Sequence, residues 1–442
     1  MNLSIFDILY PKYKITKPIR LIEFFAGYGS QALALKYLGV EFKHWKICEW
    51  AIKSIQAYKD IHFTDDNKNY SEVASKEEIQ EMLFKWGISS NYNEPMTREQ
   101  INRLSEEQLR TIFNNISATN NLVNIQDVKG EDLAIVKKDE YDYILTYSFP
   151  CQDLSLAGKG KGMSDTSTRS GMLWEVERIL TECHELGSLP QILLMENVPQ
   201  VHSADNVADF NKWQLRLEKL GYKNYFQDLI ATDYGIPQTR NRCFMVSILG
   251  DYSYTFPKPI PLKLKLKDML EDNVDKKYYI TDGQLNNIIS KNQAGYLSGG
   301  KWDKINESAR RYYKEDGNAP TIHTCSGGNT EPKIAIKNAT KKGYLEATDG
   351  DGIDISSRME HHRGTVQKDK IQTITTSGGN DRGVVNNLKI RKLTPYECFT
   401  LMGVKREDFE KCAKNQSDSS LYHLAGDSIV VNVLMAIFKE LL

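Results

Sequence analysis

No two of the seven cysteines form a Cys-x-x-Cys pair, and Cys48, Cys151, Cys183, Cys243, Cys325, Cys398 and Cys412 follow no repeating spacing. An odd, scattered set of thiols indicates neither a disulfide framework nor a zinc site, and no metal is expected. Long apolar runs are also missing: none approaches the roughly 20 residues that a membrane helix needs. Met1 to Pro11 lacks a basic stretch followed by an apolar block, so the expectation is a cytoplasmic protein with no membrane partner. A dominant charge is absent too, with 57 Lys+Arg against 58 Asp+Glu. No global field therefore points to a polyanionic partner, which has to be argued from local distribution. Residues 251–390 hold 22 basic against 18 acidic residues, a net of +4, while the remainder carries a net of −5.

What is present is an alternation of strand-length apolar runs with helix-period segments from Ile19 to about Leu249. That is the pattern of a doubly wound α/β sheet. Ile19 to Phe25, Tyr141 to Tyr147, Ile192 to Met195, Tyr222 to Ile230 and Cys243 to Leu249 read as strands, and Ser30 to Leu38 as a helix stopped by Gly39. After Gly171, the residues Met172, Leu173, Val176, Ile179, Leu180 and Cys183 share one helical face. Between about His62 and Asn121 the chain turns polar and reads as a helical insertion, more a solvated excursion than a binding surface.

At 442 residues the chain is most simply two domains. Residues 1–250 form the first, and 251–390 a smaller, loop-rich second one, opened by Pro257, Pro259 and Pro261. The helical segment 391–442 is expected to return to the first. The second domain holds a near repeat, Pro320 to Asn329 and Gln372 to Asn380, read as paired strand-turn units. Its Gly-Gly-Asn turns suit either a close approach to phosphate or plain hairpin geometry.

Candidate chemistry gathers at the ends of strands, where α/β enzymes place reactive groups. Phe25-Ala26-Gly27-Tyr28-Gly29-Ser30 follows a strand and opens a helix, so Gly27 and Gly29 would let the backbone approach a ligand. Glu49 lies about 20 residues on, where a carboxylate can hold ribose hydroxyls, and Trp50 beside it can stack on an adenine. Asp127 is a third acid, by itself more simply a turn residue. Cys151, between Pro150 and Gln152 and ahead of the Gly158 to Gly162 stretch, reads as a nucleophile in an exposed loop. Glu196-Asn197-Val198 ends the next apolar run and could protonate or hydrogen-bond a ring nitrogen. Arg240 and Arg242 alternate along an extended segment and so face one side.

Taken together and in this order, these stretches resemble the motifs of the DNA cytosine-5 methyltransferase family, of the bacterial or phage type. Phe25 to Ser30 resembles its cofactor loop, Glu49-Trp50 its ribose and adenine contacts, and Pro150-Cys151-Gln152, with Ser155 downstream, its nucleophile motif. Arg169 to Glu175, Glu196-Asn197-Val198 and Gln238 to Arg242 resemble the blocks that follow. Arg391, Leu393, Thr394, Pro395, Glu397, Leu401, Met402 and Gly403 match the motif that supports the recognition domain. Ala425 to Val431, with Asp427 and Ser428, resembles the last block, beside the cofactor. Ser30 stands where many members carry glycine, and Asp427 where asparagine is usual.

The resemblance implies a methyltransferase fold and S-adenosylmethionine as cofactor, with S-adenosylhomocysteine as product. It also implies a double-stranded DNA substrate, action as a monomer, and possible pairing with a restriction endonuclease. Cys151 would add to C6 of a flipped cytosine while Glu196 bonds to N3. Arg240 would contact the flipped base, with Arg242 the weaker candidate, and no residue identifies itself as the base that removes the C5 proton. Residues 251–390 would read the major groove, with Arg310, Arg311, Arg358, Arg363, Arg382, His361 and His362 available. Three other readings compete: an RNA-acting enzyme of the same fold, a silent DNA-binding protein, which should have lost Cys151 or Glu196, and a dinucleotide oxidoreductase, which leaves the Pro-Cys-Gln and Glu-Asn-Val motifs unexplained.

Overall fold

The computed structural model describes residues 11–149, 169–279, 300–301, 311–312, 334–337, 344–355, 365–376, 382–386 and 389–442. Pro150, Cys151, the Gly158 to Gly162 stretch, the first copy of the near repeat, Arg310, Arg358, Arg363, His361 and His362 lie outside the described residues.

The first strands are β1 (Ile19–Phe24), β2 (Phe42–Cys48), β3 (Asp142–Tyr147), β4 (Ile192–Asn197), β5 (Tyr222–Ile230) and β6 (Asn241–Leu249). They form one six-stranded sheet in the order β2-β1-β3-β4-β6-β5. β1 runs parallel to β2 and β3, and β3 to β4, whereas β6 is antiparallel to both β4 and β5. One antiparallel strand in an otherwise parallel sheet is what a short β5–β6 connection requires, because a parallel pair needs a long crossover.

Successive residues on a strand face opposite sides. Leu21, Ile144, Ile192 and Leu194 accordingly enter one core, while Ile22, Leu145, Leu193 and Met195 enter the other. The first core is covered by α1 (Ser30–Tyr37) and by the chain's last helices. The second is covered by α6 (Leu173–Glu185) and α7 (Val207–Lys219), through Val176, Leu180, Phe210 and Trp213.

After α2 (Ile52–His62) the polar stretch folds as three helices, α3 (Lys76–Trp86), α4 (Arg98–Asn102) and α5 (Glu106–Ala118). Each begins with a reciprocal capping box, from Ser75 with Glu78, Thr97 with Gln100 and Ser105 with Gln108, which satisfies amides that a helix start leaves open. Ile79, Leu83, Ile101, Leu109 and Ile112 give the excursion a core of its own.

Beyond Leu249 the described strands are short. The pair β7 (Ile334–Lys337) and β8 (Tyr344–Ala347) is antiparallel, and β9 (Gly352–Asp354), β10 (Val366–Gln367), β11 (Arg382–Asn386) and β12 (Lys389–Lys392) form a sheet in the order β10-β9-β11-β12. β12 leads into α8 (Pro395–Thr400), α9 (Arg406–Ala413), α10 (Asp418–Gly426) and α11 (Val431–Leu441). At that junction Arg391 and Glu397, both fully buried, make a two-pronged ion pair at 2.7 and 2.8 Å. A buried pair whose every oxygen is engaged fixes one geometry.

The stretch Asp418–Leu441 is apolar enough by length and composition to match a membrane span, an outcome the run-by-run reading did not anticipate. It is two helices broken at Asp427 to Val430, and 72% of its apolar window is buried inside the protein. Core packing explains its composition, since Leu434, Ile437 and Phe438 of α11 meet Ala32, Leu33 and Leu35 of α1 in one cluster.

Candidate active site

Because β1 to β4 are parallel, their C-terminal ends share one edge, and the candidate residues follow from strand ends. β1 delivers Phe25, Ala26 and Gly27; β2 delivers Glu49 and Trp50; β3 delivers Ser148 and Phe149; β4 ends in Glu196 and Asn197. A small, solvent-open cleft lies there. Its wall takes Phe25, Ala26, Gly27 and Ser30 from the first loop, Asp427 and Ser428 from the turn after α10, and Ser148 from the end of β3.

The two glycines of the first loop do different work. Gly27 has φ 55 and a Cβ there would meet nothing within 4 Å, so its backbone is bare toward the cleft. Gly29, at φ 83, faces inward, where a Cβ would stand 2.4 Å from Nε2 of His62 and 2.7 Å from the Tyr58 ring. Its need for glycine comes from packing and not from a ligand.

The loop is held from both sides. Glu49 accepts the Gly27 amide at 2.9 Å and the Ala51 amide at 2.8 Å. Burial pushes its carboxyl up to about 7, against the pull of those two amides. Tyr28 donates to the Ser428 hydroxyl at 2.8 Å and stacks on Phe399, which ties the loop to the turn after α10. Trp50 is half-buried against the excursion's core, and Asp127 is exposed, accepting from Asn124 at 2.7 Å. Glu49, Trp50, Gly29 and Asp127 do not line the cleft.

Asp427 opens onto the cleft but is crowded by protein atoms on its other sides. That crowding raises its carboxyl to about 6, Arg240 and Arg242 oppose the rise, and contact with solvent tempers it.

At the β4 end, Glu196 is 7% exposed and its Oε1 stands 3.1 Å from Nε of Arg242. Apart from that ion pair, Oε1 completes no hydrogen bond among the described residues. Burial raises the Glu196 carboxyl above its ordinary range, Arg242 and then Arg240 oppose the rise, and Asp427 adds to it. Its neighbour Asn197 donates from Nδ2 to the Phe149 carbonyl at 3.0 Å, two residues before Cys151. The strand that carries the acid therefore also anchors the loop that carries the thiol.

The two arginines sit in different surroundings. Arg240, expected at the substrate, is 4% exposed and donates to three carbonyls: Ile374 at 3.1 Å, Gly426 at 3.1 Å and Ser428 at 2.6 Å. It ties the start of β6 to two remote segments, while Arg242, the weaker candidate by sequence, is the one that meets Glu196. The passage is tight, since a Cβ on Gly426 would stand 2.3 Å from the Thr375 carbonyl carbon. The second copy of the near repeat is described from Gln372 to Thr376. Just before it Ile371 bonds to Pro237 and Thr239 at 3.0 Å each, and within it Ile374 bonds to the Gln238 side chain at 3.2 Å. Arg382, a candidate base reader, holds the Thr373 carbonyl at 2.9 Å and stands 3.6 Å from Asp354.

Sequence reasoning missed Gln31, Ser54, His423, Leu424 and Ile429 in the cleft wall. Leu424 precedes a recognised block and Ile429 lies within it, and His423 lies one helical turn before Asp427; Ser54 carried no signal. Among the described residues one group could hold a metal, His202, Asp228 and Cys243, whose ligand atoms lie within 4.8 Å of one another. His202 and Asp228 already bond at 2.8 Å.

The chain is similar over nearly its whole length to bacterial methyltransferases. It is 30% identical to the orphan methyltransferase M.SssI of Spiroplasma monobiae, across 96% of this chain and 98% of that one. It is likewise 30% identical to the type II methyltransferase M2.ScrFI of Lactococcus lactis subsp. cremoris, across 96% and 99%. Its fold is shared with the methyltransferase EhMeth of Entamoeba histolytica, at a TM-score of 0.51, 15% identity and coverage of 96% and 98%. The family described as C-5 cytosine-specific DNA methylase matches residues 94–442, and with the near full-length bacterial relatives this makes the chain a member of that family.

Proposed function

We propose that this protein methylates carbon 5 of a cytosine within a specific sequence of double-stranded DNA, with S-adenosylmethionine as donor and Cys151 as a covalent nucleophile. The observation that carries the reading is the β4 end. There a buried carboxyl paired with Arg242 adjoins the asparagine that anchors the Cys151 loop, next to a cleft walled by a glycine loop.

The cleft's groups suit that donor. Asp427 offers a carboxylate to an ammonium group, the N-terminus of α1 at Ser30 offers amides to a carboxylate, and the bare backbone at Gly27 leaves room for close approach. Bound there, S-adenosylmethionine supplies the methyl group, leaving S-adenosylhomocysteine. Phe25, Ala26, Gly27, Ser30, Asp427 and Ser428 are the cofactor residues of this reading. Glu49 supports them through Gly27, with Gly29, Trp50 and Asp127 around them, and Pro150 joins them on the resemblance alone.

The target base leaves the helix stack at a cost of a few kcal/mol. The Cys151 thiolate forms a bond to C6, the electrons of the C5–C6 double bond move into the ring, and Glu196, which keeps its proton above the ordinary carboxylate range, bonds to N3. Arg242 holds Glu196 in place. Carbon 5 is then nucleophilic; once methylated it gives its proton to water, the double bond re-forms and the thiolate leaves.

Residues 251–390, with their net of +4, would form the recognition domain that positions DNA through phosphates and reads bases from loops. Orphan and type II names both occur among the relatives, so pairing with an endonuclease is a separate question from the chemistry.

Incubation with S-adenosylmethionine and unmethylated plasmid, followed by digestion and mass spectrometry, should yield 5-methylcytosine. Product on RNA but not on DNA would overturn the substrate.

A further inference from the structure

The excursion between α2 and α5 also reaches a wall residue of the cleft. Ser89 receives and returns backbone bonds with the chain beside β2, its amide donating to Trp50 at 2.8 Å and its carbonyl accepting from Ile52 at 2.9 Å. The loop that follows is braced internally. The Ser89 hydroxyl donates to the Glu94 carbonyl at 2.7 Å, the Asn91 side chain accepts the amides of Asn93 and Glu94, and Met96 bonds back to Ile88 at 2.7 Å. At its tip stands Tyr92, in the left-handed region with φ 64. A bulky residue there is strained and persists only where its surroundings over-determine it.

The tip meets the cleft's wall. The Tyr92 ring lies 3.9 Å, centroid to centroid, from that of His423, a wall residue, with the planes 35° apart. Its hydroxyl oxygen is buried, with the side chain of Ser54, another wall residue, as a hydrogen-bonding neighbour. Burial pushes its titration upward, the Ser54 contact opposes that, and Glu49 and Asp427 add to it. A strained tyrosine on a braced loop, its ring against His423 and its hydroxyl beside Ser54, both wall residues, has the form of a pre-set contact.

We propose that Tyr92 is a cofactor-binding residue supplied by the excursion: its ring closes the cleft over His423 and its hydroxyl bonds to a polar group of the bound S-adenosyl ligand. This rests on the cofactor reading above and gives the excursion a role in the site.

The test is calorimetric titration of the whole protein and its Tyr92 variants with S-adenosylhomocysteine, alongside thermal unfolding without ligand. Tyr92→Ala should weaken binding roughly tenfold or more, and Tyr92→Phe by a smaller factor through loss of the hydroxyl. Tyr92→Gly relieves the positive φ, so it should unfold at no lower a temperature than Tyr92→Ala while binding as weakly. That split between stability and affinity is the mark of a ligand contact. Parent-like or tighter binding by Tyr92→Ala would overturn the inference alone. A parent that binds neither S-adenosylhomocysteine nor S-adenosylmethionine would overturn the cofactor reading and this inference with it.

Discussion

On the β1–β2 side of the sheet edge, acidic side chains are spent on the main chain: Glu49 holds the amides of Gly27 and Ala51, and Glu23, fully buried one strand residue before the loop, accepts from Ala32 and Tyr58. On the β4–β6 side, Glu196 has an ion pair with Arg242 and bonding capacity left over. The same residue type, buried to a similar degree and raised in the same direction, thus serves as scaffold on one side and as reagent on the other. The difference lies in what its oxygens touch. A carboxylate that shapes a backbone cradle must be saturated, whereas one that is to meet a substrate ring must stay incompletely satisfied in a site that keeps it oriented.

The sharpest way to break that contrast is on the reagent side. Glu196→Gln keeps size and loses the proton, so methyl transfer should fall roughly 10²–10⁴-fold while the unfolding midpoint stays near the parent's. A large drop in stability with modest loss of rate would make Glu196 scaffold as well.

The arginine pair gives the next largest effect. Arg242→Ala removes the partner of Glu196 and should slow transfer by about 10²-fold, with little loss of fold. Arg240→Ala leaves three buried carbonyls without their donor and should cost about 3 kcal/mol or more in urea unfolding. Equal profiles for the two variants would erase the assigned division of labour.

A smaller effect reads the scaffold side by pH. Burial raises the Glu23 carboxyl from about 4.5 to about 7. The folded state then holds this proton more tightly than the unfolded chain. Its contribution is full below pH about 4.5, declines through the interval and is lost above about 7, on the order of 3 kcal/mol in all. Glu23→Gln should therefore gain on the parent as pH rises from 5 to 8 in urea titrations; parallel curves across that window would assign the dependence to other groups.

The sequence made legible what depends on neighbours along the chain. The apolar runs of β1, β3 and β4 alternate between two cores, so their existence and period could be read directly. The motifs at their ends followed from strand direction. What stayed hidden depends on distant partners. Arg240 and Arg242 look interchangeable by spacing, and only the carbonyls of Ile374, Gly426 and Ser428, more than a hundred residues away, separate their tasks. The reversal of β6 was illegible for a related reason, since an apolar run carries no mark of its direction. Tyr92 was missed because nothing in a polar loop announces a positive φ or a ring packed at a tilt against His423 from near the other end of the chain.

The central claim, that Cys151 attacks a cytosine beside Glu196, is tested most directly with duplex DNA carrying 5-fluorocytosine in the methylated sequence. Fluorine cannot leave as the C5 proton does, so the adduct should accumulate. The account predicts a cofactor-dependent, denaturation-resistant protein–DNA complex for the parent, none for Cys151→Ala, and slower formation for Glu196→Gln. A complex of undiminished yield with Cys151→Ala, or none from a parent that methylates the ordinary duplex, would contradict it.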